Sequence, residues 1–216
     1  MRTITIKGIG KISKSPDAIV ITMSLRSFNK DYSLAIDKST ANIEEINDLF
    51  QKLGFEKNSI KTTNFNVNTK YENVKDGDSY KYVFAGYECF HDLKIQFDFN
   101  TKKLSEVLEA ISKTVSQPKI NIRFCVKDPT DLKNELLKSA TINAKEKAIT
   151  LCEASGVKLG DLMTIDYSWT DINLYSQTTY LLEDKCLKTA RMANNIEITP
   201  EDVDFSNTVT FVWEIK

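Results

Sequence analysis

Ile60-Lys61-Thr62-Thr63-Asn64-Phe65-Asn66-Val67-Asn68 and Tyr87-Glu88-Cys89-Phe90-His91-Asp92-Leu93-Lys94-Ile95-Gln96-Phe97 both alternate in character, and Lys75-Asp76-Gly77-Asp78 lies between them. A period of two puts every second side chain on one face of a strand. Asp-Gly between two such runs is a strong short-range hairpin signal. The stretch reads as a long antiparallel hairpin. Its return strand, from about Tyr80 to Phe99, points Tyr87, Cys89, His91, Leu93, Ile95 and Phe97 to one face.

Working outward toward the N-terminus, Tyr32 to Leu53 carries Leu34, Ala35, Ala41, Ile43, Ile46, Leu49, Phe50 and Leu53 at spacings that suit an amphipathic helix. Asp31 is placed to cap it and Gly54 to stop it. Ala18 to Phe28 alternates as a strand, and so does Thr3 to Ile12. Ser15-Pro16-Asp17 between them is turn chemistry, so the two are expected to pair antiparallel. Gly8 and Gly10 mark a bulge or a close backbone approach.

Toward the C-terminus, Lys102 to Val115 reads as a second helix, ended by Pro118, and Lys119 to Val126 as a strand. Asp128-Pro129-Thr130-Asp131 opens a third helix running to Ala154, with a stripe of Leu132, Leu136, Leu137, Ala140, Ala144, Ala148 and Leu151. Its alanines suit close approach to a sheet, and Gly156 stops it. Asp161 to Ser168 and Asp204 to Ile215 are strands. Residues 170–200 show no sustained period and read as a long excursion or flap, with helical character near 182–193.

The order β-β-α-β-β-α-β-α-β-β predicts an α+β fold, a largely antiparallel sheet with helices packed on one face. Ser39 to Ile60 and Ser139 to Leu162 both run helix, Gly, strand, which leaves an internal duplication open. No Gly-, Ser- or Pro-rich linker divides the chain, so residues 1–216 are read as one domain.

Composition narrows the function. The 216 residues carry 29 Lys+Arg against 30 Asp+Glu, a net charge of -1, so no bulk pull toward nucleic acid or anionic membrane is expected. One His leaves little room for His-based catalysis or a His-rich metal site. Cys89, Cys125, Cys152 and Cys186 lie at least 27 residues apart, without the spacing of a zinc or redox motif, and read as ordinary thiols. The N-terminal run alternates, unlike a signal peptide's apolar stretch of roughly 7–15 residues. No run approaches the roughly 18 apolar residues of a membrane span. The expected location is cytoplasmic as the sequence stands, or exported if a leader has been removed.

Certain pieces, in order, resemble a known family. They are Gly8-Ile9-Gly10, Pro16-Asp17-Ala18 with Ile19-Val20-Ile21, Leu49 with Leu53-Gly54, and Ile60-Lys61-Thr62 with Tyr71. Gly86-Tyr87, Ala140 with Ala144-Lys145-Glu146-Lys147-Ala148, Leu159-Gly160 and Pro200 follow. Taken together they resemble the SIMPL domain family across essentially the whole chain. The resemblance implies the α+β fold and supplies no catalytic residues. The roles it implies range over envelope- or stress-associated proteins, self-assembling proteins and adaptors. The segment 170–200 carries none of its motifs.

Candidate chemistry is sparse. Gly8-x-Gly10 is too short for a dinucleotide fingerprint, so no cofactor is expected. Cys89 and His91 share a strand face about 6–7 Å apart, long for the direct hydrogen bond a thiol nucleophile needs. Tyr71, Tyr80, Tyr82, Phe84 and Tyr87 cluster around the hairpin among Lys70, Lys75 and Lys81. Glu72, Asp76, Asp78 and Glu88 offset those lysines, which favours a protein contact over stacked bases. The expectation is a non-enzymatic protein acting through protein–protein contact, self-association above all. A small-molecule or peptide binder with a pocket between helices and sheet is the alternative, and a thiol enzyme using Cys89 and His91 is a third reading.

Overall fold

The structure is a computed structural model and describes residues 2–77, 79–168, 172–182 and 198–216. Among these the elements run β1 (Thr3–Lys14), β2 (Ala18–Asn29), α1 (Tyr32–Lys52), β3 (Lys61–Asp76), β4 (Ser79–Asp98), α2 (Thr101–Ile111), β5 (Lys119–Cys125), α3 (Thr130–Ala154), β6 (Leu159–Tyr167), β7 (Tyr175–Leu182) and β8 (Val203–Ile215). The fold is α+β. The strands form two sheets, ordered β1-β8-β6 and β3-β4-β2-β5-β7. The chain divides accordingly into two compact units, one of residues 1–17, 125–177 and 200–216, the other of residues 18–124 and 178–199.

The expected β1–β2 pairing is not the one formed. β1 pairs along its whole length with β8, from Thr3 opposite Glu214 to Lys14 opposite Val203. β2 pairs with β4, from Ala18 opposite Asp98 to Asn29 opposite Tyr87. Asp17 marks the change of sheet: its amide donates to the Cys125 carbonyl at 3.1 Å, and its carboxylate accepts the Lys127 amide at 2.7 Å. The segment 170–200 also departs from its reading, because Tyr175–Leu182 is a strand at the end of the five-stranded sheet. Ser176 and Thr178 stand where apolar residues would have shown the alternation. The helical character expected near 182–193 lies almost wholly outside the described residues.

In the smaller unit, the stripe Leu132, Leu136, Ala140, Ala144, Ala148 and Cys152 buries α3. Leu151 is half-exposed, and Cys152 takes the inward position expected of it. Gly8 and Gly10 serve close approach, since β1 holds an unbroken register with β8. A Cβ on Gly8 would overlap the Ala140 carbonyl oxygen and lie 2.7 Å from the Ala144 Cβ. One on Gly10 would overlap the Leu136 carbonyl oxygen. Glycine on the strand and alanine on the helix thus let α3 sit directly on β1, with Ile6, Val209, Phe211 and Trp213 filling the seam.

In the larger unit, α1 and α2 cover one face of the five-stranded sheet. Ile19, Ile21, Met23, Leu25, Leu93 and Ile95 from the sheet meet Ile46, Phe50, Leu104, Val107, Leu108 and Ile111 from the helices. Asp31 caps α1 by accepting the Leu34 amide at 3.1 Å, and Asn100 caps α2 through the Lys103 amide at 2.9 Å. Glu45 on α1 accepts the amides of Val115 and Ser116 at 2.8 and 3.1 Å, tying the chain beyond α2 to α1. Both helix–Gly–strand runs close on a glycine at positive φ, Gly54 at 85° and Gly156 at 70°, and both lead into the terminal strand of a sheet.

Candidate functional site

β4 is longer than the sheet it belongs to. Its residues 87–94 lie between β2 and β3 and residues 95–98 pair with β2 alone, whereas residues 79–86 run beside β3 alone. Residues 70–86 therefore form a two-stranded ribbon that runs past the end of β2.

The register sorts its side chains. Tyr71 is opposite Phe84, Asn73 opposite Tyr82, and Lys75 opposite Tyr80, so these six share one face. Glu72 with Val83 and Val74 with Lys81 make the other. The register shifts between Lys70 and Tyr71, where Ala85 is extra on β4. Phe84 and Tyr87, three residues apart, would otherwise point to opposite faces. The bulge brings them to one face, with ring centroids 5.3 Å apart. Gly86 beside it has φ 152°, and a Cβ there would lie 2.5 Å from the Asn29 carbonyl oxygen.

The result is a continuous aromatic row. Tyr71 stacks on Tyr82 at 5.0 Å, and Phe84 meets Tyr71 edge-on at 5.8 Å. Tyr87 in turn meets Tyr32, at the start of α1, at 5.3 Å. Tyr87 lies on the same face as Cys89, Leu93 and Ile95, which the helices cover. The helix layer ends at Tyr32, while the aromatic face continues along the ribbon. Tyr80 and Tyr82 are 70% and 71% exposed. Phe65 on β3, opposite His91 and 48% exposed, adds to the same face nearer the sheet. The sequence reading thus named four rings that touch in series and a fifth, Tyr80, at the tip. It missed Phe65 and Tyr32, for which the only signal was a large aromatic in an otherwise polar strand and at a helix start.

Two of the ribbon's lysines have acidic neighbours. Lys81 pairs with Asp76, and Lys70 lies 3.8 Å from Glu72.

Cys89 and His91 sit on the helix-covered face, both buried. His91 Nε2 and Thr62 Oγ1 share a hydrogen bond of 2.8 Å, and the ring packs against Phe65. Burial pushes the imidazole below its ordinary pKa, against the upward pull of Asp92. Its Nδ1 has no hydrogen-bond partner among the described residues. One ring nitrogen is thus engaged by a threonine. Asp17, read as a turn former, braces the change of sheet as described above. No helix among the described residues is long and apolar enough to cross a membrane.

Comparison with known proteins bears out the family resemblance read from the sequence. The SIMPL family, described as protein of unknown function (DUF541), matches residues 4–213. The chain is similar to a 26 kDa periplasmic immunogenic protein of Brucella melitensis, 25% identical over 99% of this chain and 84% of that one. Its counterpart in Brucella abortus is 24% identical over the same shares. An uncharacterized protein YggE of Edwardsiella ictaluri is 22% identical over 74% of this chain and 65% of its own.

Proposed function

Because this chain belongs to the SIMPL family, whose description assigns no activity, we propose a role built on contact rather than on chemistry: a non-enzymatic protein that self-associates through the aromatic face of the β3–β4 ribbon. The observation that carries this reading is the row Tyr71, Tyr82, Phe84 and Tyr80, which extends past the helix layer with no second layer on it among the described residues. A two-stranded ribbon is marginal in water on its own, so an aromatic face on one calls for a covering partner. The four rings expose roughly 450 Å². Phe65 and Tyr32 bring that to about 650 Å², near the roughly 800 Å² per partner of a standard interface.

Aromatic anchors with a charge-neutral setting favour a protein partner over a nucleic-acid strand, which would need unpaired cations along its track. The periplasmic names of the Brucella relatives support an exported location for this chain over a cytoplasmic one. The reading of Cys89 with His91 as a thiol centre draws no support from the threonine-engaged, buried imidazole.

The test is absolute mass by light scattering behind size exclusion. A defined multiple of 24.6 kDa is expected, falling to a smaller one when Tyr82→Glu and Phe84→Glu are combined. An unchanged multiple in that variant, or a strict monomer for the parent protein, removes the reading.

A further inference from the structure

The smaller sheet, β1-β8-β6, has two terminal strands of opposite character. Along β1, Lys7, Ile9 and Lys11 share one face, and Lys147 of α3 reaches the Lys7 carbonyl at 3.3 Å. The outward amides of Ile9 and Lys11 are held by Asn143 Oδ1 at 3.0 Å and Ser139 Oγ at 3.4 Å. These three bonds are exposed single contacts at positions where a neighbouring strand would form its ladder. A groove of about 750 Å³ runs beside them, lined by Ile9, Ile142 and Lys11 among others. A second, of about 470 Å³, continues it past Lys7 and Leu151. Ile9, Ile142 and Leu151 are all substantially exposed there. The floor is apolar, and the rim carries Lys7, Lys11 and Lys147 against Glu146.

β6 is the complement. Every residue from Asp161 to Tyr167 is exposed, including Leu162, Met163, Ile165 and Tyr167, because α3 covers β1 and β8 and stops short of this strand. Its charges are Asp161 and Asp166. Exposed strand edges with apolar side chains recruit further strands unless blocked, and main-chain pairing with pockets for alternate side chains is a recurring mode of recognition. Matched charge fixes partner and register.

We propose that β6 of one copy adds to the β1 edge of a second copy, Leu162, Met163 and Ile165 entering the β1–α3 groove while Asp161 and Asp166 face Lys7, Lys11 and Lys147. This contact rests on the self-association proposed above but uses a surface separate from the aromatic ribbon. It is head-to-tail, since different patches of the two copies meet, so it propagates beyond a dimer unless it closes on itself. The ladder bonds of an added strand replace those that Asn143, Ser139 and Lys147 now make.

The experiment is a charge swap read by light scattering, made in the Tyr82→Glu/Phe84→Glu protein so that only the edge contact remains, with circular dichroism as the folding control. Lys7→Glu with Lys11→Glu is expected to weaken association roughly tenfold or more. Asp161→Lys with Asp166→Lys should do the same, and the four changes together should restore it. Association should also fall with added salt. A ribbon variant that is already monomeric, reversals without effect, or a fourfold variant that stays dissociated would each overturn the edge contact. The ribbon reading is judged separately, by whether Tyr82→Glu/Phe84→Glu alone lowers the mass.

Discussion

Replacing Gly8 with alanine tests the seam on which the smaller unit is built. The added methyl would overlap the Ala140 carbonyl oxygen and come within 3.0 Å of its carbon. Both are helix backbone, so no side-chain rotation relieves the overlap and α3 must lift from β1. Overpacking of this kind costs about 1–3 kcal/mol. Lifting also weakens the bonds from Ile9 to Asn143 and from Lys11 to Ser139, each worth about 1 kcal/mol. The expected loss is about 2–4 kcal/mol, a Tm lower by roughly 5–15 °C for a chain of this size. Trp213, buried in the seam and stacked on Phe211, is the reporter. In a Trp169→Phe background its fluorescence during urea unfolding reads this unit alone. The sharper arm is the double variant with Ala144→Gly. It removes the 2.7 Å contact with the Ala144 Cβ but leaves the carbonyl in place, so less than half the loss should return. A Gly8→Ala protein within about 0.5 kcal/mol of the parent, or full rescue by Ala144→Gly, would refute the close-approach argument.

Other expectations follow from single contacts. Gly86→Ala brings a Cβ to 2.5 Å from the Asn29 carbonyl at a φ of 152°, so a loss above about 1 kcal/mol is expected by thermal melting; an unchanged melt would sink the bulge argument. His91 is held neutral by burial, so the folded state binds the proton less well than the unfolded one. Stability is full above the unfolded pKa of about 6.5 and falls as the pH drops from there toward the lowered folded value. With one His in the chain, its NMR titration is unambiguous, and a midpoint at or above 6.5 would contradict the assignment. For Glu45, burial raises the pKa, yet the amides of Val115 and Ser116 outweigh it and hold the carboxyl below its usual value. Its contribution is present above the unfolded carboxyl pKa and lost as the pH falls through the folded one. Glu45→Gln should cost about 0.5–1 kcal/mol at neutral pH, solvent screening included, and little in acid, and equal losses at both would argue that the contact is not charge-assisted.

What was legible in the sequence follows the range of the interaction. Alternation and helical spacing are local, and they located β4, α1 and α3 within a few residues. The glycines of β1 left a bulge or a close approach open, and the alanine stripe asked for a sheet without saying which strand would meet it. Strand pairing is not local. Ser15-Pro16-Asp17 says that the chain turns, but not that β1 will take β8 as its neighbour, and β1 and β2 were mispaired for that reason. β7 escaped notice because Ser176, the residue it buries, is polar. At the ribbon, alternation placed Tyr80, Tyr82 and Phe84 together. Joining them to Tyr87 required the bulge at Ala85, which only Gly86 hinted at. Phe65 and Tyr32 joined through the end of the helix layer, a feature of packing that no single strand records.

The pairing of Thr3 with Glu214 has a bearing on biosynthesis. β1 is made before the other described elements and β8 after them, so β1 waits for β8 to emerge before its sheet can close. Most of the larger unit, β2 through β5, emerges as one contiguous run and can condense earlier. Throughout that interval β1 is an unpaired strand with apolar and glycine positions open to any other edge. Its lysines then act as the nascent chain's own guard against joining the wrong neighbour.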